Sequence, residues 1–186
     1  MAAKMKNLFK KLVFWLMERA IKKGQVYNIT GRDKEDRDIY MIRYIVFKTK
    51  WFGIYIHRFV RSDDDTHHDH PWCFFTYMVE DGYAEQIVKK VYYNKVNHYW
   101  MKTTIRTKPG QLLFRKGTHI HRVILDKHYQ MDELDKAPLT FVIIGPKYRE
   151  WGFWSPKGAE YTWQHWRSFL HIPKGPNKEH VGISDE

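Results

Sequence analysis

Five of the chain's 11 histidines fall in two short runs, His67-His68-Asp69-His70-Pro71-Trp72 and Thr118-His119-Ile120-His121-Arg122. Imidazole is the commonest protein ligand for a functional transition metal. In an extended strand, residues two apart point to the same side, so His68 and His70 form one pincer and His119 and His121 another. Two such pincers have the donor atoms to share one ion. The opposite parity offers a different set, with His67 and Asp69 as an HxD pair, His119 as a distal ligand and Arg149 or Lys147 as an anion anchor. On a regular strand only one of these sets can face a barrel interior. The plain alternative to both is that strand histidines are packed, hydrogen-bonded core residues.

Strands are therefore the elements that have to position these side chains. Alternating apolar and polar runs predict them over 39–47, 53–61, 72–79, 84–93, 98–107, 111–114, 119–125, 139–145 and 150–154. Turn signals lie between them, among them Asp81-Gly82, Pro109-Gly110 and Lys116-Gly117. Aromatic residues make up 17% of the chain, which favours pleated surfaces over helices. Short strands with regular turns predict an antiparallel sandwich or small barrel, a fold that places ligands in its mouth. The spacing also predicts a helix over 8–21 and a short closing helix over 163–170. From residue 172 onward Gly, Pro, Lys and Asn dominate and no periodicity survives.

A chain of 186 residues holds one full core. The expected division is a basic N-terminal helical arm over 1–38, a barrel domain over 39–171 and a flexible tail over 172–186. The net charge of +11 is concentrated at the start, where residues 1–50 hold 13 Lys and Arg against 5 Asp and Glu. That asymmetry points to a polyanion, nucleic acid included, as a partner of the arm. On the helix itself apolar residues spread most of the way round, which calls for contacts on two sides: the barrel, a second subunit in a homodimer, or a membrane surface. The apolar run Leu12 to Met17 is too short for a secretory signal and is closed by Glu18 and Arg19, and no transmembrane segment is expected. One cysteine, Cys73, excludes an intramolecular disulfide framework and fits a small buried hydrophobe. A cytoplasmic protein is expected.

The histidine runs also resemble the two motifs of the cupin superfamily, a small jelly-roll β-barrel. His68-Asp69-His70 matches the HxH pair of the first motif and Gly82 its closing glycine, while Phe75 stands where that motif has a glutamate. Gly110 and His121 match the ends of the second motif, with Lys116 and Thr118 replacing its proline and glycine. The stretch from Arg58 to Phe153 is similar to uncharacterised cupin-like proteins often encoded by bacteriophages, which would put the chain in a host cytoplasm. The resemblance implies a mainly β fold, a single cupin jelly-roll barrel with an N-terminal helix and a short C-terminal helix. It implies His68, His70 and His121 as metal ligands, with Phe75 removing the anionic fourth. A three-histidine site leaves the ion's charge uncompensated and positions open for an anionic chelating substrate. The pattern resembles the thiol-dioxygenase branch, with Fe(II) favoured and Zn, Ni, Mn or Cu compatible.

Around that set, His119 is a candidate ligand or supporting group, Glu85 a candidate replacement carboxylate, and His57 a candidate on the strand before the first motif. Arg106, Arg115 and Tyr83 are candidates for holding a substrate anion or ring. Asp63 to Asp65 lack the ligand pattern of a calcium loop and read as a solvated turn. Two functions follow as expectations. The first is a non-haem iron oxygenase, or a metal-dependent isomerase, acting on a small anionic substrate. The second is a non-catalytic binding protein whose barrel and basic arm hold a nucleotide, nucleic acid or host protein.

Overall fold

The computed structural model describes residues 2–30, 39–63 and 66–171; the expected tail over 172–186 lies outside them. A helix, α1 (Ala2–Lys22), is rich in Ala, Leu, Met and Lys, which lose little rotamer freedom in helices. It ends where Gly24 takes φ +65°. There Gly24 N–H donates to the Ile21 carbonyl and Gln25 N–H to the Ala20 carbonyl, which caps the last turn. Glycine is favoured at that position because a side chain strains a left-handed backbone.

Twelve strands follow: β1 (Val26–Thr30), β2 (Ile39–Lys48), β3 (Gly53–Phe59), β4 (His67–His68), β5 (Phe74–Glu80), β6 (Ala84–Tyr92), β7 (His98–Arg106), β8 (Leu112–Arg115), β9 (Ile120–Ile124), β10 (Leu139–Ile144), β11 (Gly152–Lys157) and β12 (Glu160–His165). A one-turn helix, α2 (Trp166–Phe169), closes the described chain. The strands form two antiparallel six-stranded sheets, ordered β1-β2-β3-β10-β5-β8 and β12-β11-β4-β9-β6-β7. Non-consecutive neighbours in both sheets, and their curling against each other, make a jelly-roll barrel. This is the mainly β fold, with a helix at each end, that the cupin resemblance implies.

The interior lies between the sheets. Met41, Phe59 and Met78 from the first sheet meet Tyr83 and Val123 from the second, and Leu125 joins them. A second cluster, Tyr55, Phe74, Val142 and Ile144, fills the inner side of the first sheet nearer the histidines. The outer side of that sheet is covered by α1, whose Val13, Met17 and Ala20 are buried against Ile42, Tyr44, Ile56, Val60 and Leu139. Of the surfaces open to the helix, its own barrel takes one face.

Three strands escape the periodicity reading. β1 is a five-residue edge strand, β4 has two residues, and β12 takes the first three residues of the stretch read as a helix over 163–170. The β11–β12 hairpin turns through Gly158-Ala159, with Gly158 at φ +62°. A two-residue loop opening on glycine is a hairpin signal, and it shortens the helix to four residues. Gly82, matched to the first cupin motif, lies where a Cβ would run into the Thr107 carbonyl.

Candidate metal centre

β4 is short because it is wedged into the second sheet: His68 lies opposite Phe153 of β11 on one side and His121 of β9 on the other. Directly opposed residues share a face, so His68 and His121 both point into the barrel. His70 has left the strand, but its N–H donates to the Gly117 carbonyl, and its ring turns to the same side. The three rings form a nearly equilateral triangle, with centroids 4.9 Å apart for His68–His121 and 5.1 Å for both His68–His70 and His70–His121. His70 Nε2 and His121 Nε2 are 2.8 Å apart. Phe74 lies 4.6 Å from the His70 ring and Phe153 6.1 Å from the His68 ring, giving the triangle an apolar wall.

Burial depresses the basicity of the His68 and His70 imidazoles. The His68 pKa falls to about 4, with Asp63 opposing the shift, and that of His70 falls well below its usual value, with the neighbouring His121 and His68 adding to the effect. Both rings are neutral at pH 7 and keep a lone pair for a ligand bond.

A second group adjoins the first through His121. Glu85 on β6 is 1% exposed, and its Oε1 lies 2.8 Å from His119 Nε2 and 2.7 Å from His121 Nδ1. The His121 contact is close but poorly angled for a hydrogen bond, since Nδ1 has no partner that meets hydrogen-bond geometry. Arg115 reaches across from β8 in the other sheet, donating through Nε to Oε1 at 3.0 Å and through Nη2 to Oε2. Burial works against the Glu85 charge, yet hydrogen bonds from Arg115 and His119, with the His121 ring close beside them, hold the carboxyl well below the usual range. Among the described residues, both His68/His70/His121 and Glu85/His119/His121 have donor atoms grouped closely enough to hold a metal ion. His121 belongs to both groups.

The remaining candidates fall elsewhere. His57 on β3 accepts from Arg43 Nε at 3.2 Å, stacks on Tyr55, and has its pKa lowered by burial and by Arg43. Arg106 forms a bidentate surface pair with Asp126 and is not brought to the histidines. Arg115 is committed to Glu85. Tyr83 is buried with its ring 5.3 Å from Phe59, and its hydroxyl pKa is raised by burial and by the Glu85 charge. Phe75 points away from the site: it is 46% exposed and packs on Phe114. The residues flanking it, Phe74 and Thr76, are the ones that turn inward.

Asp69 is a structural latch. It is 1% exposed; Oδ1 accepts from Gly152 N–H at 2.8 Å and Oδ2 from Trp154 Nε1 at 3.0 Å. Arg149 Nη1 lies 3.0 Å from Oδ2 and also donates to the His70 and Gly117 carbonyls. His67, on the opposite face from His68, is 2% exposed, with burial lowering its pKa to about 4 and neither ring nitrogen partnered among the described residues. The HxD set of His67, Asp69 and His119 is therefore not assembled, because Asp69 is spent on β11. Phe74, which walls the site, escaped the sequence reading, and Asp63, read as part of a solvated turn, is instead largely buried beside His68. Asp63 accepts from Val123 N–H at 2.6 Å and lies 3.8 Å from His68 Nδ1.

No family model and no curated protein matches the chain. Solved structures similar to it include a cupin-2 domain, Rru_A2000 from Rhodospirillum rubrum, at 9% identity and TM-score 0.47 over 73% of this chain and 78% of that one. Others are the DMSP lyase DddQ from Ruegeria pomeroyi DSS-3, at 13% identity and TM-score 0.41 over 63% of this chain, and FeII HppE with its substrate, at 10% and 0.43 over 65%. The matched stretch spans only 51% of DddQ and 57% of HppE.

Proposed function

We propose that the chain is a metal-dependent cupin enzyme acting on a small anionic substrate, with Fe(II) oxygenase chemistry as the leading reading. The convergence of three imidazoles from β4, the loop after it and β9 carries this proposal. Nitrogens bound about 2.0–2.1 Å from one ion lie roughly 3 Å apart, close to the 2.8 Å between His70 Nε2 and His121 Nε2. The donor set suits a borderline transition metal rather than Mg or Ca, which prefer oxygen. His68, His70 and His121 would hold the ion, which supplies a Lewis acid and, if iron, a redox centre.

The chain's own residues do the rest. Glu85 stands beside His121 and His119 as an orienting carboxylate of the kind that fixes metal-bound imidazoles. Arg115 neutralises Glu85, which leaves Asp63, 3.8 Å from His68 Nδ1, as the negative charge beside the three imidazoles. A divalent ion held there would keep a net positive charge, which favours an anionic substrate. Phe74 and Phe153 give the histidine face an apolar wall of low dielectric, which strengthens that attraction.

Elemental analysis of protein purified without a metal-affinity column tests the reading. About one transition-metal ion per chain is expected, with less than about a tenth of that in a folded His68→Ala/His121→Ala variant. Metal-free wild-type protein that takes up no Fe, Mn, Ni or Zn on anaerobic reconstitution would sink it.

A further inference from the structure

The face of α1 opposite the barrel is built from the wrong residues for a helix that meets only water. Met5, Leu8, Leu12 and Trp15 are 64%, 69%, 47% and 53% exposed. At about 100° per residue they fall within a sector of roughly 80°, a continuous outward stripe. Lys4, Lys11 and Lys22 lie along one flank of it, all exposed, and Arg19 sits over the Trp15 ring at 5.7 Å. The whole helix carries six Lys and Arg against the single Glu18. Its other face is fully used by the core, through Val13, Met17 and Ala20, and Lys10 pairs with Glu80.

We propose that α1 is a surface-binding helix that lays its Met5, Leu8, Leu12 and Trp15 stripe into the interface of an anionic phospholipid bilayer, with Lys4, Lys11 and Lys22 at the headgroups. An apolar stripe edged by lysines and carrying a tryptophan is the composition that lies in a membrane interface. Among the described residues no helix is long and apolar enough to cross a membrane, so this one lies on the surface. Charge complementarity selects the occupant. A second copy would bring two strongly basic helices together, and nucleic acid would engage the lysines while leaving four large apolar side chains in water. Anionic lipid satisfies both features. Because the barrel already holds the helix folded, the bilayer meets a preformed surface and no ordering cost falls on the binding step.

Flotation of the full chain with phosphatidylcholine vesicles, with and without phosphatidylglycerol, tests the proposal. The chain should float with the anionic vesicles and far less with pure phosphatidylcholine, and added salt should weaken the association. Leu8→Gln/Leu12→Gln/Trp15→Gln and, separately, Lys4→Glu/Lys11→Glu/Lys22→Glu should each lower partitioning by about tenfold or more. Both variants change exposed residues, so the thermal midpoint should stay near that of wild type. Failure to float with anionic vesicles overturns the proposal, as does undiminished flotation of the glutamine variant. So does a concentration-dependent dimer that the glutamine variant abolishes, which would assign the stripe to a second copy. DNA binding lost in the glutamate variant and kept in the glutamine variant, without flotation, would assign the lysines to nucleic acid.

Discussion

His121 has two ring nitrogens and a different neighbour for each: Nε2 faces His70 and Nδ1 faces Glu85. That double engagement explains why one histidine belongs to both candidate ligand groups. Asp69 has the opposite character. It lies in the middle of the HxH pair, yet its lone pairs go to Gly152, Trp154 and Arg149. Asp69→Ala is therefore expected to destabilise the fold, by roughly 1–3 kcal/mol for each buried donor left unpaired, as read by urea unfolding. The metal content of the surviving folded fraction should match wild type, because Asp69 is not a ligand. Strand parity alone left the HxD set open, and the cupin resemblance is what singled out His68, His70 and His121, whose donor atoms lie close together. The role of Asp69 was not legible, because the same parity that turns it outward says nothing of β11 arriving 83 residues later. Phe75 shows the same limit: motif spacing marks the position, while the strand register turns Phe74 inward in its place.

At the scale of elements, α1 is the piece whose sequence asked for two neighbours and found one in the barrel. Met17, at 7% exposure, sits in the contact with Ile42, Ile56 and Leu139. Met17→Ala should lower the unfolding free energy by about 2–5 kcal/mol in chemical denaturation, whereas Leu12→Gln on the outer stripe should leave it nearly unchanged. A loss at Leu12 as large as that at Met17 would mean the outer face is also packed. β2, β3, β5, β6 and β10 were readable from apolar, β-branched and aromatic runs closed by turn residues, and β2, β3 and β10 bury both faces, one in the barrel and one under α1. β1, β4 and β12 were not readable. β4 has two residues, β1 is a five-residue edge strand beside a stretch of charged residues, and the aromatic run of β12 fits a helix face as readily as a strand until the glycine turn at Gly158 is weighed.

On the scale of the whole molecule, the two sheets divide the labour. The first carries α1 on its outside and most of the inner apolar core. The second carries β4, β6 and β9, and with them His68, Glu85 and His121, while His70 and His119 flank the ends of β4 and β9. From the first sheet, Arg115 reaches the site through its pair with Glu85, and Phe74 sets its ring beside His70. The jelly roll itself was legible from strand count, turn spacing and the cupin motifs. The division was not, because sheet membership depends on long-range pairings such as β10 between β3 and β5.

That division has a consequence on the time axis. Every donor of the candidate centre belongs to the second sheet or to the loops at the ends of its strands, so an ion ties those segments to one another and scarcely touches the first sheet. Local opening of the second sheet then has to release the ion, while opening of the first does not. Amide hydrogen exchange measured with and without bound metal should slow in β4, β6, β9 and the segment around His70, and remain unchanged in β2, β3 and β10 beneath α1. Equal slowing of both sheets would show that the barrel opens as one unit, with the ion bracing all of it rather than one wall.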